Sequence, residues 1–246
     1  MIKANLCAYK RSNRRQSKVY KLKYLHFKII SSIFKMFIFT PALFKFMIPF
    51  WMVIMGPKGS GKEKFLMRVL NEYQTLIEPK PISILYCYDE YNDNIPIMKH
   101  GGVNIHQGIP EDDLLDLMEK PTLVILDGLN VSQGFLTDLK HKSIREKISV
   151  IFLTEHFHTE LYAFGRYFEY VSMMRDQNLV KQLYHDQQTF TNNQVRYLYD
   201  AYRLATSSED GYLVIEKHPA LNFNYLTNIF EEPENEEFSI FVPKQQ

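Results

Sequence analysis

From residue 50 onward, short apolar runs alternate with stretches whose apolar residues recur every three or four positions. Trp51 to Met55, WMVIM, is a continuous apolar run that stops at Gly56, the pattern of a strand buried on both faces. After Lys62, the residues Phe65, Leu66, Val69, Leu70, Tyr73 and Leu76 fall on one face of a helix, and Pro79 and Pro81 close that unit. ISILYCY (82–88) predicts a second buried strand, followed by the polar turn DEYNDN. GVNIHQG (102–108) adds a short strand, and EDDLLDLME (111–119) has acidic residues suited to a helix start. TLVILDG (122–128) and KISVIFLTEHF (147–157) are the third and fourth strong strands. YFEYVSMM and GYLVIEK predict further strands, with helices at roughly 177–186 and 193–205. Strands alternating with helices argue for a three-layer α/β fold around a mostly parallel sheet. No internal repeat or low-complexity linker interrupts 50–230, so one domain over 44–232 is the simplest organisation.

Charge divides the chain more sharply than hydropathy does. The net charge is +1, yet residues 1–50 carry 11 Lys or Arg and no acid. The first acid is Glu63, and 51–246 hold 18 basic against 28 acidic residues, a net of −10. Residues 1–43 therefore read as a separate basic and apolar extension, either disordered, a nucleic-acid arm or membrane-associated, and 233–246 as an acidic tail. The apolar stretch within 25–50 is long enough for a membrane span, but Lys35, Lys45, Pro41 and Pro49 interrupt it. No small-residue cleavage site follows it, which argues against a signal peptide. Cys7 and Cys87 are too few for a disulfide framework, so an intracellular, cytoplasmic or nuclear setting is expected. His156 and His158 form only a His-x-His pair, without convincing zinc spacing.

The chemistry-bearing stretch is Gly56-Pro57-Lys58-Gly59-Ser60-Gly61-Lys62, placed between the first strand and the first helix. Glycines at this spacing let the backbone curl so that successive N–H groups face phosphate oxygens. The helix N-terminus adds a favourable dipole, and Lys62 neutralises the outer phosphates. Glu63 stands where a Ser or Thr hydroxyl is expected to hold Mg2+. A nucleotide site also needs an acid at the end of a neighbouring buried strand, and Asp127 ends TLVILD. Another strand lies between loop and acid in sequence, as in phosphate-loop ATPases that drive mechanical work, and VIFLTEH offers Thr154, Glu155 and His156 on the next strand.

The chain resembles the FtsK–HerA superfamily of P-loop ATPases, in the DNA-packaging branch of large DNA viruses and Polinton transposons. The resemblance rests on PFWMVIMGPKGSGK, ILYCYDEY, GIPE, LVILDGL, ISVIFLTEHFH, MMRDQNLVKQL, LYDAYRLATSSEDGYLVIEKHP and TNIF, in the family's order from about Phe44 to Phe230. It implies a RecA-like P-loop NTPase fold and an ATP- and Mg2+-dependent motor on double-stranded DNA. A homo-oligomeric ring and capsid partners are implied with it. Under the resemblance Glu90 matches an acid able to activate water, and Arg175 an arginine able to reach a phosphate; the alternatives are a solvated turn residue and an ion pair with Asp176 or Glu169. Gly128 stands where the family carries a second acid, and Glu155 and His156 replace its Gln-Asn pair.

Three functions compete on these residues. The first is an active translocating ATPase, and the second a catalytically dead descendant that binds nucleotide, DNA or a capsid protein. The third, a P-loop nucleotide kinase, lacks an arginine-rich lid. The acidic body leaves DNA only local paths, such as Lys140, His141, Lys142 and Arg145 or the basic head, and a solvated helix face explains that cluster equally.

Overall fold

The computed structural model describes residues 34–39, 44–155, 167–176, 192–208, 210–217, 223–230 and 238–243. The head before residue 34, the helix expected near 177–186, and His156 and His158 lie outside the described residues. In chain order the strands are β1 (Phe34–Phe39), β2 (Phe46–Met47), β3 (Trp51–Met55), β4 (Ile77–Glu78), β5 (Ser83–Tyr88), β6 (Asn104–Gln107), β7 (Thr122–Asp127), β8 (Ile148–Thr154), β9 (Tyr170–Met174), β10 (Tyr212–Lys217), β11 (Phe223–Thr227) and β12 (Phe238–Pro243). The helices are α1 (Lys62–Asn71), α2 (Tyr73–Leu76), α3 (Ile95–His100), α4 (Asp112–Leu117), α5 (Gln133–Glu146) and α6 (Asn192–Ala205).

One ten-stranded sheet runs in the order β1-β12-β11-β10-β9-β3-β8-β7-β5-β6. From β9 to β6 all pairings are parallel, and from β9 outward to β1 all are antiparallel. This is the expected α/β architecture with a mostly parallel central sheet. Alternate residues of β3 serve opposite faces. Trp51, Val53 and Met55 join a core with Leu136 and Leu139 of α5 and Leu198 and Tyr202 of α6. Met52 and Ile54 join a second core with Phe65, Leu66 and Val69 of α1 and Met98 of α3. Burial on both faces is why the strand reads as an unbroken apolar run. Burying Phe65, Leu66 or Val69 contributes about 1.5–3 kcal/mol each, so α1 is held by its apolar stripe and its orientation at the sheet edge is fixed.

The stripe predicts one helix as far as Leu76, but α1 ends at Asn71. Glu72, at φ −107°, ψ 10°, breaks it before the single turn of α2. The break lets the chain turn into β4, where Ile77 is fully buried and pairs with Phe46. Ser132 caps α5 by accepting the Phe135 N–H at 3.2 Å, and Lys147 closes it in a left-handed conformation. Two segments outside 44–232 carry paired strands: β1 and β12 run antiparallel, Met36 opposite Phe241. Among the described residues no helix is long and apolar enough to cross a membrane.

Candidate nucleotide-binding site

Because β3, β5, β7, β8 and β9 run the same way, their carboxyl ends meet at one edge. Register sets Met55 beside Thr154, and Asp127 beside both Leu153 and Tyr88. The loop 56–61 leaves β3 at this edge, where the chain's strand order reverses direction and open sheets form ligand crevices. β8 lies between the loop strand and the strand of Asp127 in the sheet, whereas in sequence the strand between them is β5.

Gly56 is required by close approach: a Cβ there would sit 2.6 Å from Ser60 Oγ and 2.7 Å from Met174 Cβ. Gly59 and Gly61 adopt φ of 77° and 95°, and the space a Cβ would take at either is open. Lys62 opens α1, and its buried Nζ donates to Gly56 O at 2.7 Å and Pro57 O at 3.0 Å. An ammonium has three donors, so one remains for an anion. The first N–H groups of α1 have no acceptor within the helix. Ser60 Oγ is buried with no hydrogen-bond partner, an orphan that a phosphate oxygen would satisfy. The residues fit a polyphosphate.

On one flank of the loop lies a crevice of about 10 Å³, room for one water-sized body, with Glu63, Tyr86, Asn92, Asn94 and Asp127 on its polar side and Leu66, Met67 and Met98 on its apolar side. The Tyr86 hydroxyl donates to Asp127 Oδ2 and accepts from Asn92 Nδ2 at 2.8 Å. Burial raises the Asp127 carboxyl above its ordinary range; the Tyr86 hydrogen bond opposes this, the Glu63 charge adds to it, and Lys62 counters it. Burial, and then the Asp127 charge, push the Tyr86 hydroxyl far up, so it remains a neutral donor. These are hard oxygen donors. Among the described residues no group of three or more His, Cys, Asp or Glu is placed to hold a metal. As a pair of carboxylates, Glu63 and Asp127 fit Mg2+, which takes one or two carboxylates and draws its other ligands from phosphates and water.

The opposite flank opens into a cleft of about 580 Å³. Lys64, Phe65 and Arg68 of α1 form one wall, and Asp210, Tyr212 and Phe230 of the late segments form the other. Phe65 meets Tyr212 at 4.8 Å and Phe230 at 5.0 Å in edge contacts, and the Arg68 guanidinium lies 4.3 Å above the Phe230 ring. Lys64 and Asp210 pair at 2.5 Å across the mouth.

Among the solved structures that match the chain are packaging NTPases of Sulfolobus viruses. The genome packaging NTPase B204 of Sulfolobus turreted icosahedral virus 2, in complex with ATP-gammaS, matches at 12% identity and a TM-score of 0.45, over 72% of this chain and 96% of that one. The same NTPase in complex with sulfate matches at 11% and 0.46, over 72% and 95%. The DNA-packaging ATPase B204 of Sulfolobus turreted icosahedral virus matches at 12% and 0.45, over 72% and 97%. No protein-family model matches the sequence, and no curated protein does. The fold itself stands on the strand order and register above.

The other sequence candidates divide. Glu90, Glu155 and Arg175 all reach the carboxyl-end edge, following β5, β8 and β9, and all three side chains are exposed. Around Arg175 the backbone is clamped by the Tyr202 hydroxyl, which bonds Met174 O at 2.8 Å and takes the Asp176 N–H at 2.5 Å. Glu169 is engaged elsewhere, by the Trp51 N–H at 2.6 Å and Lys140 at 3.3 Å. Gly128 adopts φ 66°, and its N–H bonds Leu153 O at 3.2 Å.

The Lys140–Arg145 cluster divides: His141 and Arg145 are solvated, whereas Lys140 and Lys142 are engaged by the fold. Lys142 is buried against Asp112 and Asp116, and Lys140 lies 4.8 Å above the Trp51 ring while pairing with Glu169. Acids of neighbouring elements already compensate both charges. Sequence reasoning missed Tyr86 and Asn92 on one flank and Arg68, Asp210, Tyr212 and Phe230 on the other. The available signal was the position of Tyr86 inside ILYCYDEY and of Tyr212 and Phe230 inside the late GYLVIEKHP…TNIF block, whereas Asn92, Arg68 and Asp210 lie outside both.

Proposed function

We propose that this chain binds ATP with Mg2+ and is a DNA-packaging or translocating P-loop ATPase in which hydrolysis is weakened. The observation that carries the reading is the loop wrapped on Lys62, which leaves one ammonium proton and the orphaned Ser60 hydroxyl to meet phosphate. Lys62 and Ser60 hold the phosphates, Glu63 and Asp127 hold the cation, and the aromatic-lined cleft takes the nucleoside end. A bound Mg2+ would neutralise phosphate charge and polarise the terminal phosphoryl group.

Weak turnover follows from what the reacting edge lacks. Gly128 has no side chain to orient an attacking water. Glu155 brings negative charge to the edge where a neutral amide would sense the terminal phosphate. Glu90 is the remaining candidate base, and Arg175 the candidate cation toward a phosphate of the same or an adjacent subunit. Double-stranded DNA, a homo-oligomeric ring and capsid partners belong to the reading through the sequence motifs alone. An intracellular setting, and membrane contact by residues 25–50, are proposals of the same kind.

The test is nucleotide affinity with and without Mg2+, together with ATP hydrolysis in the presence and absence of double-stranded DNA. The expected result is Mg2+-dependent binding with slow, DNA-stimulated turnover. No binding in either condition overturns the proposal. Binding without any DNA-stimulated hydrolysis moves it to a nucleotide-binding protein that has lost the motor reaction.

A further inference from the structure

Asp127 does not stand alone at the end of β7. Its Oδ2 accepts a proton from Tyr86, and Tyr86 accepts one from Asn92. The direction of this chain is fixed at its outer end. Asn92 Oδ1 accepts the backbone N–H of Asn94 at 3.0 Å, so the amide nitrogen must face Tyr86. The Tyr86 oxygen, already accepting from that amide, has a single proton, and it goes to Asp127. Asn92 is in turn held by the start of α3. Its carbonyl accepts the Ile95 N–H at 3.2 Å, and Ile95 and Met98 are anchored in the core.

We infer that Tyr86 and Asn92 are positioning residues, which occupy one oxygen of Asp127 and present the other toward the crevice it shares with Glu63. The inference rests on the reading that this crevice takes the nucleotide's cation. It gives Asp127, half-buried beside Glu63, a fixed hydrogen-bond partner on one oxygen. It also ties the cation site to loop 89–94, because Asn92 lies two residues beyond Glu90. Partners behind a metal ligand typically contribute about 10–100-fold in metal affinity.

The experiment measures binding of a fluorescent ATP analogue in Mn2+ and in EDTA, and takes the ratio of the two affinities as the cation gain. Wild type is compared with Tyr86→Phe, Asn92→Ser and the control Tyr88→Phe, whose ring stacks on Tyr86 at 6.1 Å without joining the hydrogen-bond chain. Asn92→Ser keeps an oxygen for the Asn94 N–H and adds no charge to the crevice, but its shorter side chain no longer donates to Tyr86. The gain is expected to fall about 10-fold or more in Tyr86→Phe and Asn92→Ser, and to hold in Tyr88→Phe. Equal losses in Mn2+ and EDTA mean a merely structural role and overturn the inference. Should Tyr86→Phe fail to fold, Asn92→Ser on the surface loop decides alone. A gain retained in full by Asn92→Ser overturns the relay while leaving the nucleotide reading intact, whereas a wild type with no gain overturns both.

Discussion

The two flanks of the phosphate loop differ in how firmly packing holds their residues. On the nucleoside flank, α1 and the late strands close a cleft with an aromatic trio, a guanidinium stacked on a ring and an ion pair at the mouth. On the proposed cation flank, Glu63 stands where the loop motif leads one to expect a hydroxyl, and Gly128 where the resembled family carries an acid. Both flanks hang on the same buried strands, so the difference is not one of scaffold. Glu63 is half-buried, so substitution there costs little in folding, whereas Gly128 is exposed but held to glycine by its φ of 66°. Phe65 and Tyr212 are core residues, where truncation costs about 3–5 kcal/mol in a case like Phe65→Ala. Stability therefore protects the nucleoside flank whether or not turnover is retained, and on the cation flank leaves Glu63 free to change.

The largest expected effect removes what both flanks share. Lys62→Ala deletes the one buried cation of the loop and should weaken nucleotide binding about 100-fold, near 3 kcal/mol for lost charged hydrogen bonds. Equilibrium titration in EDTA and in Mg2+ checks it. A loss confined to Mg2+ would mean that phosphates do not sit on Lys62, and the comparison of flanks would collapse.

Next is the attempt to restore the reacting edge. Gly128→Glu forces a side chain into φ 66°, a left-handed conformation costing about 1–2 kcal/mol for an ordinary residue. Urea unfolding should register that loss, and ATP turnover should gain nothing from this change alone. Increased turnover at unchanged stability would show that the missing acid, and not the backbone, limits the site.

Glu63→Ser separates the flanks more gently. A carboxylate about 6 Å from a phosphate charge at an effective dielectric near 20 is repelled by about 3 kcal/mol, and solvent at a half-exposed position halves that. Affinity in EDTA should therefore rise about 10-fold, with thermal stability unchanged. Because Glu63 contributes to raising the Asp127 carboxyl, the same variant should lower that group toward its ordinary range. Protonation of Asp127 then needs more acid. The low-pH limb of Mg2+-dependent binding shifts to lower pH, and an unmoved limb counts against the electrostatic coupling.

What could be read from the chain follows the same physics. Strands such as WMVIM and TLVILD are legible because burial on both faces writes an unbroken apolar run. The loop is legible because its backbone conformation demands glycine at set positions. Asp127 is legible as an acid at a strand end. The Tyr86 relay is not, because a tyrosine in a buried strand reads as core and its hydroxyl partner is set only by packing β5 against β7. The Arg68–Phe230 stack is invisible for another reason: its members are far apart in sequence and meet only once the late strand is in place. The break at Glu72 and the burial of Lys142 are likewise tertiary outcomes. One serves β4, and the other depends on acids of α4 that happen to face α5.

The smallest expected effect lies at the cleft mouth. Lys64 and Asp210 bridge α1 to the turn before β10, but the side chains are 62% and 63% exposed. An exposed pair of this kind contributes about 0.2–1 kcal/mol and is screened by salt. Lys64→Ala should therefore change nucleotide affinity by less than about threefold at 0.15 M ionic strength. The difference from wild type should shrink further at about 1 M, where the Debye length is near 3 Å. Asp210→Ala should match it in size, because both variants break the same bridge. Suppose instead that Lys64→Ala costs more than about 10-fold while Asp210→Ala costs nothing. Lys64 would then be reaching phosphate beside Lys62, and the boundary between the flanks would move one residue along α1. The salt series separates the cases: a bridge at the mouth fades with ionic strength, whereas a phosphate contact within the cleft is screened less.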